Sequence, residues 1–329
     1  MLYQKLRQFF HIVLIAAGLL AAAPASAGHW EFNLHGNLWG VREYQTWLPT
    51  HYVPGTALPV VLMLHGCVSE PNSMAAVSRF NELADRENFI VVYPRQNVTS
   101  NPMRCWNFML LSNQERDSGE PAILMSILNK VKRDYSVDAS RVYVTGISSG
   151  GAMASIMAAC YSDVFAAVMV HSGGMYKGAI GLVTAADSLL FGSSFDPKAR
   201  GKDAWRCGGS PRHLMPVMVF HGSDDIVVNP INGDQTIEQF LQTSDYGDDG
   251  RDNDSVMYRA SRIERGNVPY GHSYTIHTYI SKGTVVAQKY TVAGMSHAWS
   301  GGPTLWPFSD EHGPDATLIS WNFFKNYRR

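Results

Sequence analysis

Short apolar runs alternate with stretches of helical spacing along most of the 329-residue chain. Residues 59–64 and 89–93 are apolar at successive positions, as in strands buried on both faces. Residues 142–145, 166–171, 216–221 and 285–292 supply further strands, and 30–34 with 42–47 an opening pair. Between them, 72–87 places Ala75, Ala76, Phe80 and Leu83 on one side of a predicted helix. Residues 122–135 do the same with Ile123, Leu124, Ile127, Leu128 and Val131. Residues 233–241 also read as helical, and 315–327 as a closing helix capped near Pro314. Strands alternating with helices predict an α/β fold with a mostly parallel sheet covered on both faces.

Two segments stand outside this rhythm. Residues 173–213 are rich in Gly, Ser and Ala and are expected to lie over the C-terminal edge of the sheet as a small cap-like insertion. Residues 244–255 carry Asp245, Asp248, Asp249, Asp252 and Asp254. Their spacing does not fit a 12-residue calcium loop and no bidentate glutamate follows, so a solvated acidic loop is expected. No internal repeat or low-complexity linker interrupts the chain.

The first 27 residues read as a secretory signal peptide. Lys5 and Arg7 precede an apolar stretch over 12–23, and Ala25-Ser26-Ala27 offers a small-residue cleavage site. The apolar stretch is short for a membrane span. Cleavage leaves residues 28–329 as one expected catalytic domain, secreted to the periplasm or the medium. It removes two of 27 basic residues and none of the 28 acidic ones, so the mature net charge is −3. That balance gives no basis for nucleic-acid binding. Four cysteines remain, Cys67, Cys105, Cys160 and Cys207, and an even number in an exported chain favours two disulfides. Of three connectivities, Cys67–Cys105 with Cys160–Cys207 is favoured. The absence of a Cys-x-x-Cys pair argues against structural zinc.

Candidate chemistry centres on Gly146-Ile147-Ser148-Ser149-Gly150. An apolar strand precedes it and a small-residue helix follows, the context of a nucleophile elbow. Ser148 at the apex adopts a strained backbone, and Gly146 and Gly150 let strand and helix approach closely. Such a serine needs an acid and a base, which in this topology follow in the order Ser, acid, His. Asp225, in the loop after 217–221, is the acid, with Asp224 as fallback. His297, between the strand 285–292 and the last helix, is the base. The spacings of 77 and 72 residues each leave room for a strand, a helix and an insertion. His171 and His221 end strands and read as structural; His312 lies beyond the base loop. The oxyanion needs two N–H donors. Ser149 supplies one, and Cys67, in the loop Leu64-His65-Gly66-Cys67, is the candidate for the other.

With these motifs in place the chain resembles the esterase family of extracellular polyhydroxybutyrate depolymerase catalytic domains and related feruloyl and acetylxylan esterases. The resemblance rests on Leu64-His65-Gly66-Cys67, residues 101–108 with Cys105-Trp106-Asn107, Gly119-Glu120-Pro121-Ala122, residues 141–151, His171-Ser172-Gly173, residues 221–233, 294–302 and 313–316. It implies an α/β-hydrolase fold, the triad Ser148, Asp225 and His297, and Trp106 and Trp299 near the acyl pocket. No cofactor or metal is implied. The stretch Phe108-Met109-Leu110-Leu111 is less aromatic than is usual in the family. No linker or polymer-binding domain is expected after the closing helix. Polyester oligomers, amorphous polymer or small esters are therefore the expected substrates. Feruloyl or acetylxylan esterase activity is the alternative within enzymes, and a silent hydrolase fold serving as a binding module the alternative outside them.

Overall fold

A computed structural model describes residues 28–209 and 214–329. The expected signal peptide and residues 210–213 of the cap segment lie outside the described residues. The chain opens with the hairpin β1 (His29–Asn37) and β2 (Gly40–Leu48), followed by β3 (Leu58–Leu64), α1 (Pro71–Ser78), α2 (Phe80–Glu87) and β4 (Ile90–Pro94). Next come α3 (Gly119–Asp134), β5 (Val137–Ile147), α4 (Ser149–Cys160) and β6 (Ala167–His171). The helices α5 (Gly181–Phe191) and α6 (Pro197–Cys207) precede β7 (Val217–Gly222) and α7 (Ile231–Asp249). The chain closes with β8 (Arg262–Asn267), β9 (Ser273–Ser281), β10 (Thr284–Val292), β11 (Trp299–Ser300), β12 (Ser309–Asp310) and α8 (Ala316–Phe324).

Ten of these strands form one sheet in the order β1-β2-β4-β3-β5-β6-β7-β10-β9-β8. The six from β4 to β10 run parallel, and each end is finished by antiparallel strands. The side-chain period of two feeds a core on each face. Val60, Leu62 and Leu64 of β3 pack with Leu124 and Leu128 of α3 and Met153 and Met157 of α4. Val61 and Met63 point the other way, into a core with Met74 of α1, Leu83 of α2 and Phe324 of α8. The register pairs Leu64 with Gly146, and Ile147 with His171. The parallel strands thus end together at the edge that carries the candidate residues.

Two sequence expectations are corrected. The helix expected over 72–87 is two helices, because Arg79 turns left-handed at φ 55°. Its guanidinium reaches the Gly301 carbonyl and Asp315, both at 3.2 Å. The acidic segment is a solvated loop only over 250–255; its first half is helix. The helix α7 runs on through Asp249, and Asp245 is buried, accepting from Asn253 N, Val256 N and Ser255 Oγ. Those bonds fold the following turn back on the helix. The cap segment carries α5 and α6. Asp196 caps α6 by accepting from the N–H groups of Lys198 and Ala199.

Candidate active site

Ser148 sits between β5 and α4 at φ 58°, ψ −124°, a conformation that ordinary side chains avoid. Its neighbours hold it there. A Cβ on Gly146 would lie 2.5 Å from the Gly150 carbonyl oxygen. One on Gly150 would lie 2.5 Å from the His65 carbonyl oxygen and closer still to that of Leu64. Only glycines allow this crossing. The Ser148 N–H donates to the His171 carbonyl at 3.0 Å, which ties the elbow to β6.

The loop after β7 and the loop after β10 bring the acid and base together. His297 Nδ1 lies 2.7 Å from Asp225 Oδ2, so Nε2 is the ring nitrogen left for the cavity that His297 and Ser148 both line. Asp225 Oδ1 accepts from Val227 N at 3.0 Å and Val228 N at 2.8 Å. Burial alone would raise the Asp225 carboxyl. Hydrogen bonds from His221, His297 and the backbone outweigh it and hold the group well below the usual carboxylate range. The fallback Asp224 is exposed and only accepts from Ser223 Oγ at 2.8 Å.

His221 lies at the end of β7 and also reaches the acid. Its Nε2 donates to the Val228 carbonyl at 2.9 Å and lies 3.4 Å from Asp225 Oδ2. Asp225 therefore faces two histidines. The spacing of four residues between His221 and Asp225 was the available signal. His171 is also buried here; burial first, then His221 and His297, pushes its pKa well down. Its Nε2 accepts from Ser300 N at 3.1 Å.

The first turn of α4 leaves the Ser149 N–H outside the helix ladder. Cys67 borders the same cavity. The Gly66–Cys67 peptide is fixed from behind. Gln96 N donates to His65 Nε2 at 3.1 Å, so Nδ1 carries the proton and donates to the Gly66 carbonyl at 2.7 Å. Burial holds His65 neutral, with its pKa down to about 4. In a trans peptide, anchoring the Gly66 oxygen turns the Cys67 N–H the opposite way. The disulfides are Cys67–Cys105 and Cys160–Cys207, and the first clamps this loop.

Glu120, given no role from sequence, underlies the same loop. It is buried against Arg42 at 3.5 Å, accepts from Asn107 N and Nδ2 at 2.8 Å, and pairs with Gln96. Gln96 in turn donates to the Cys105 carbonyl at 3.0 Å.

Trp106 and Trp299 do not line the cavity, which corrects their expected place at the acyl pocket. Trp106 is fully buried behind the loop and donates from its indole to the His65 carbonyl at 3.0 Å. Trp299 stacks on His171 at 4.8 Å and donates to Thr317 Oγ1 at 3.1 Å. Both indoles find polar partners in the core and leave no face for substrate. The cavity, about 320 Å³, is walled instead by Val68, Met74, Val77, Phe108, Leu189, Val227, Val228 and Trp306-Pro307-Phe308. Phe308, at φ 60°, sets its ring edge-on to His297 at 6.3 Å. Among the described residues, no group of His, Cys, Asp and Glu is arranged to hold a metal.

A mostly parallel sheet between two helical layers, with a strand–helix elbow at Ser148, is the α/β-hydrolase fold. The chain belongs to the family described as esterase PHB depolymerase, whose profile matches residues 43–256. It is 32% identical over 248 residues to poly(3-hydroxyalkanoate) depolymerase C of Paucimonas lemoignei, covering 73% of this chain and 54% of that protein. Feruloyl esterase B of Neurospora crassa is 28% identical over 250 residues, covering 71% of this chain and 79% of its own. This chain thus spans about half the length of the P. lemoignei depolymerase. An acetyl xylan esterase from Aspergillus awamori shares the fold, with a TM-score of 0.71 at 18% identity over 91% of this chain and 99% of that one.

Proposed function

We propose that this chain is an exported serine esterase that opens aliphatic polyester oligomers of the poly(3-hydroxybutyrate) type. In this reading His297, oriented by Asp225, takes the Ser148 proton. Ser148 Oγ then attacks the ester carbonyl, and the N–H groups of Cys67 and Ser149 hold the oxyanion. His297 protonates the departing alcohol and afterwards activates the water that frees the acyl group. A buried, ionised Asp225 suits this role, since it stabilises the imidazolium that forms.

The observation that carries the substrate reading is the chemistry of the cavity wall. Among the described residues it contains no Lys, Arg, Asp or Glu. Exposed apolar side chains adjoin its lining residues along the chain or by a backbone bond: Met103, whose carbonyl accepts from Val68 N, Ile226 next to Val227, and Leu190 and Phe191 next to Leu189. An uncharged, apolar ester chain suits such a surface. Two disulfides support export. No described helix is long and apolar enough to cross a membrane.

The test is a panel of 3-hydroxybutyrate oligomers, methyl ferulate and acetylated xylan. Turnover of the oligomers at the highest kcat/KM supports the reading. Preference for ferulate or acetylxylan would replace it with the activity named for the other relatives.

A further inference from the structure

Two cavities meet at Ser148. The larger is lined by Cys67, Phe308 and His297. The smaller, about 20 Å³, lies on the other side of Ser148, against Gly174, Ala179, Ser188 and Asn232. Phe108, Leu189 and Val228 border both. The smaller one is a dead end, because Met175, Ala179, Ser188 and Asn232 are all buried in the protein behind it. Asn232 is fixed there by donating to the Ser188 carbonyl at 2.7 Å and the Asn229 carbonyl at 3.0 Å.

The direction of the reaction assigns the two spaces. When the bond from Ser148 Oγ to the acyl carbon has formed, the carbon–oxygen bond to the alcohol breaks. The alcohol oxygen then takes the proton that His297 received from Ser148. The leaving group must therefore sit on the side of the histidine. His297 lines the larger cavity and does not line the smaller one. We propose that the larger cavity holds the alcohol portion and the smaller one the acyl chain, which limits the acyl group to a short chain. This rests on the serine-esterase reading above.

The limit follows from size: the smaller cavity offers about 20 Å³ against about 320 Å³ in the larger. A short acyl chain fills it and meets the buried wall behind. A polyester can then offer only a terminal unit as acyl group, and the rest of the chain lies toward the larger cavity as the alcohol.

The test is a series of 4-nitrophenyl esters, acetate to octanoate, so that the leaving group stays constant. The expected result is comparable kcat/KM on acetate and butyrate and a fall of about tenfold or more at hexanoate. Gly174→Ala puts a methyl into the pocket. Its nearest non-neighbour atom would be Asn232 Oδ1 at 3.7 Å, an ordinary contact that leaves the backbone in place. The butyrate-to-acetate ratio should fall about tenfold in that variant. Leu189→Ala widens the shared wall, and the hexanoate-to-butyrate ratio should rise by a similar factor. Thermal unfolding of both variants checks that they fold. A flat profile through octanoate, or unchanged ratios in two folded variants of an active enzyme, would overturn the assignment. A wild-type protein inactive on every ester would overturn the serine-esterase reading and this inference with it.

Discussion

The elbow that presents Ser148 and the loops that join Asp225 to His297 sit at the same sheet edge but are held by different forces. The elbow is a matter of backbone sterics. Two glycines let β5, α4 and the end of β3 touch carbonyl to α-carbon, and a positive φ at Ser148 follows. The acid and base are held by hydrogen bonds among protonatable groups, with Asp225 facing both His297 and His221. The elbow should therefore break on added volume and ignore pH. The other half should tolerate volume and respond to protons and to lost donors.

The largest expected effect is on the steric side. Gly150→Ala places a methyl against the backbone oxygens of Leu64 and His65, which cannot move without shifting two strands. A loss of about 3 kcal/mol or more is expected in urea unfolding, together with loss of activity. A variant of full stability would mean that the elbow is not sterically locked. On the other side, Asp225→Asn keeps the volume and removes the charge. An unfolding midpoint close to wild type with a fall in kcat of about ten-thousandfold is expected from steady-state kinetics. A fall in stability that matched the loss of rate would make Asp225 a structural residue first.

The pH response of stability is smaller, has a defined sign and comes from the His65 ring beneath the Cys67 loop, outside both halves. His65 is neutral in the fold, with a pKa of about 4 against 6.5 for an ordinary histidine. The unfolded chain therefore binds the extra proton first. The stability from neutral burial is complete above about pH 6.5 and is lost as pH falls toward 4. Urea unfolding between pH 7.5 and 4.5 should show wild type losing about 2–3 kcal/mol more than His65→Gln. Equal losses in both proteins would remove His65 from the account. The smallest effect belongs to His221→Gln. It weakens the second contact to Asp225 and the tie to the Val228 carbonyl, and a drop in kcat of about tenfold is expected, read in kinetics across pH.

The same division explains what could be read in the chain. The central strands were legible because each is buried on both faces and therefore apolar at every position, as at Val60 to Leu64. Ser148 was legible because steric locking demands glycines at fixed offsets. The pairing of Asp225 with His297 followed from chain order, and the structure brings them within 2.7 Å. The rest depended on distant partners. The break at Arg79 has no Gly or Pro to mark it, only contacts to Gly301 and Asp315 more than 200 residues away. The strand β8 is exposed along most of its length, so no apolar alternation announced it. Asp245 looks solvated in sequence and is buried because the next turn folds back onto it. Trp106 and Trp299 were assigned to substrate by resemblance, yet their indole N–H groups are used in the core.

The measurement that tests the central claim most directly is covalent trapping of the nucleophile. The protein is treated with an aryl organophosphonate and mapped by peptide mass spectrometry, beside Ser148→Ala. The account expects one adduct, on Ser148, in step with loss of esterase activity, and neither adduct nor activity in the variant. An adduct on another residue, or ester hydrolysis retained by a folded Ser148→Ala protein, would contradict it.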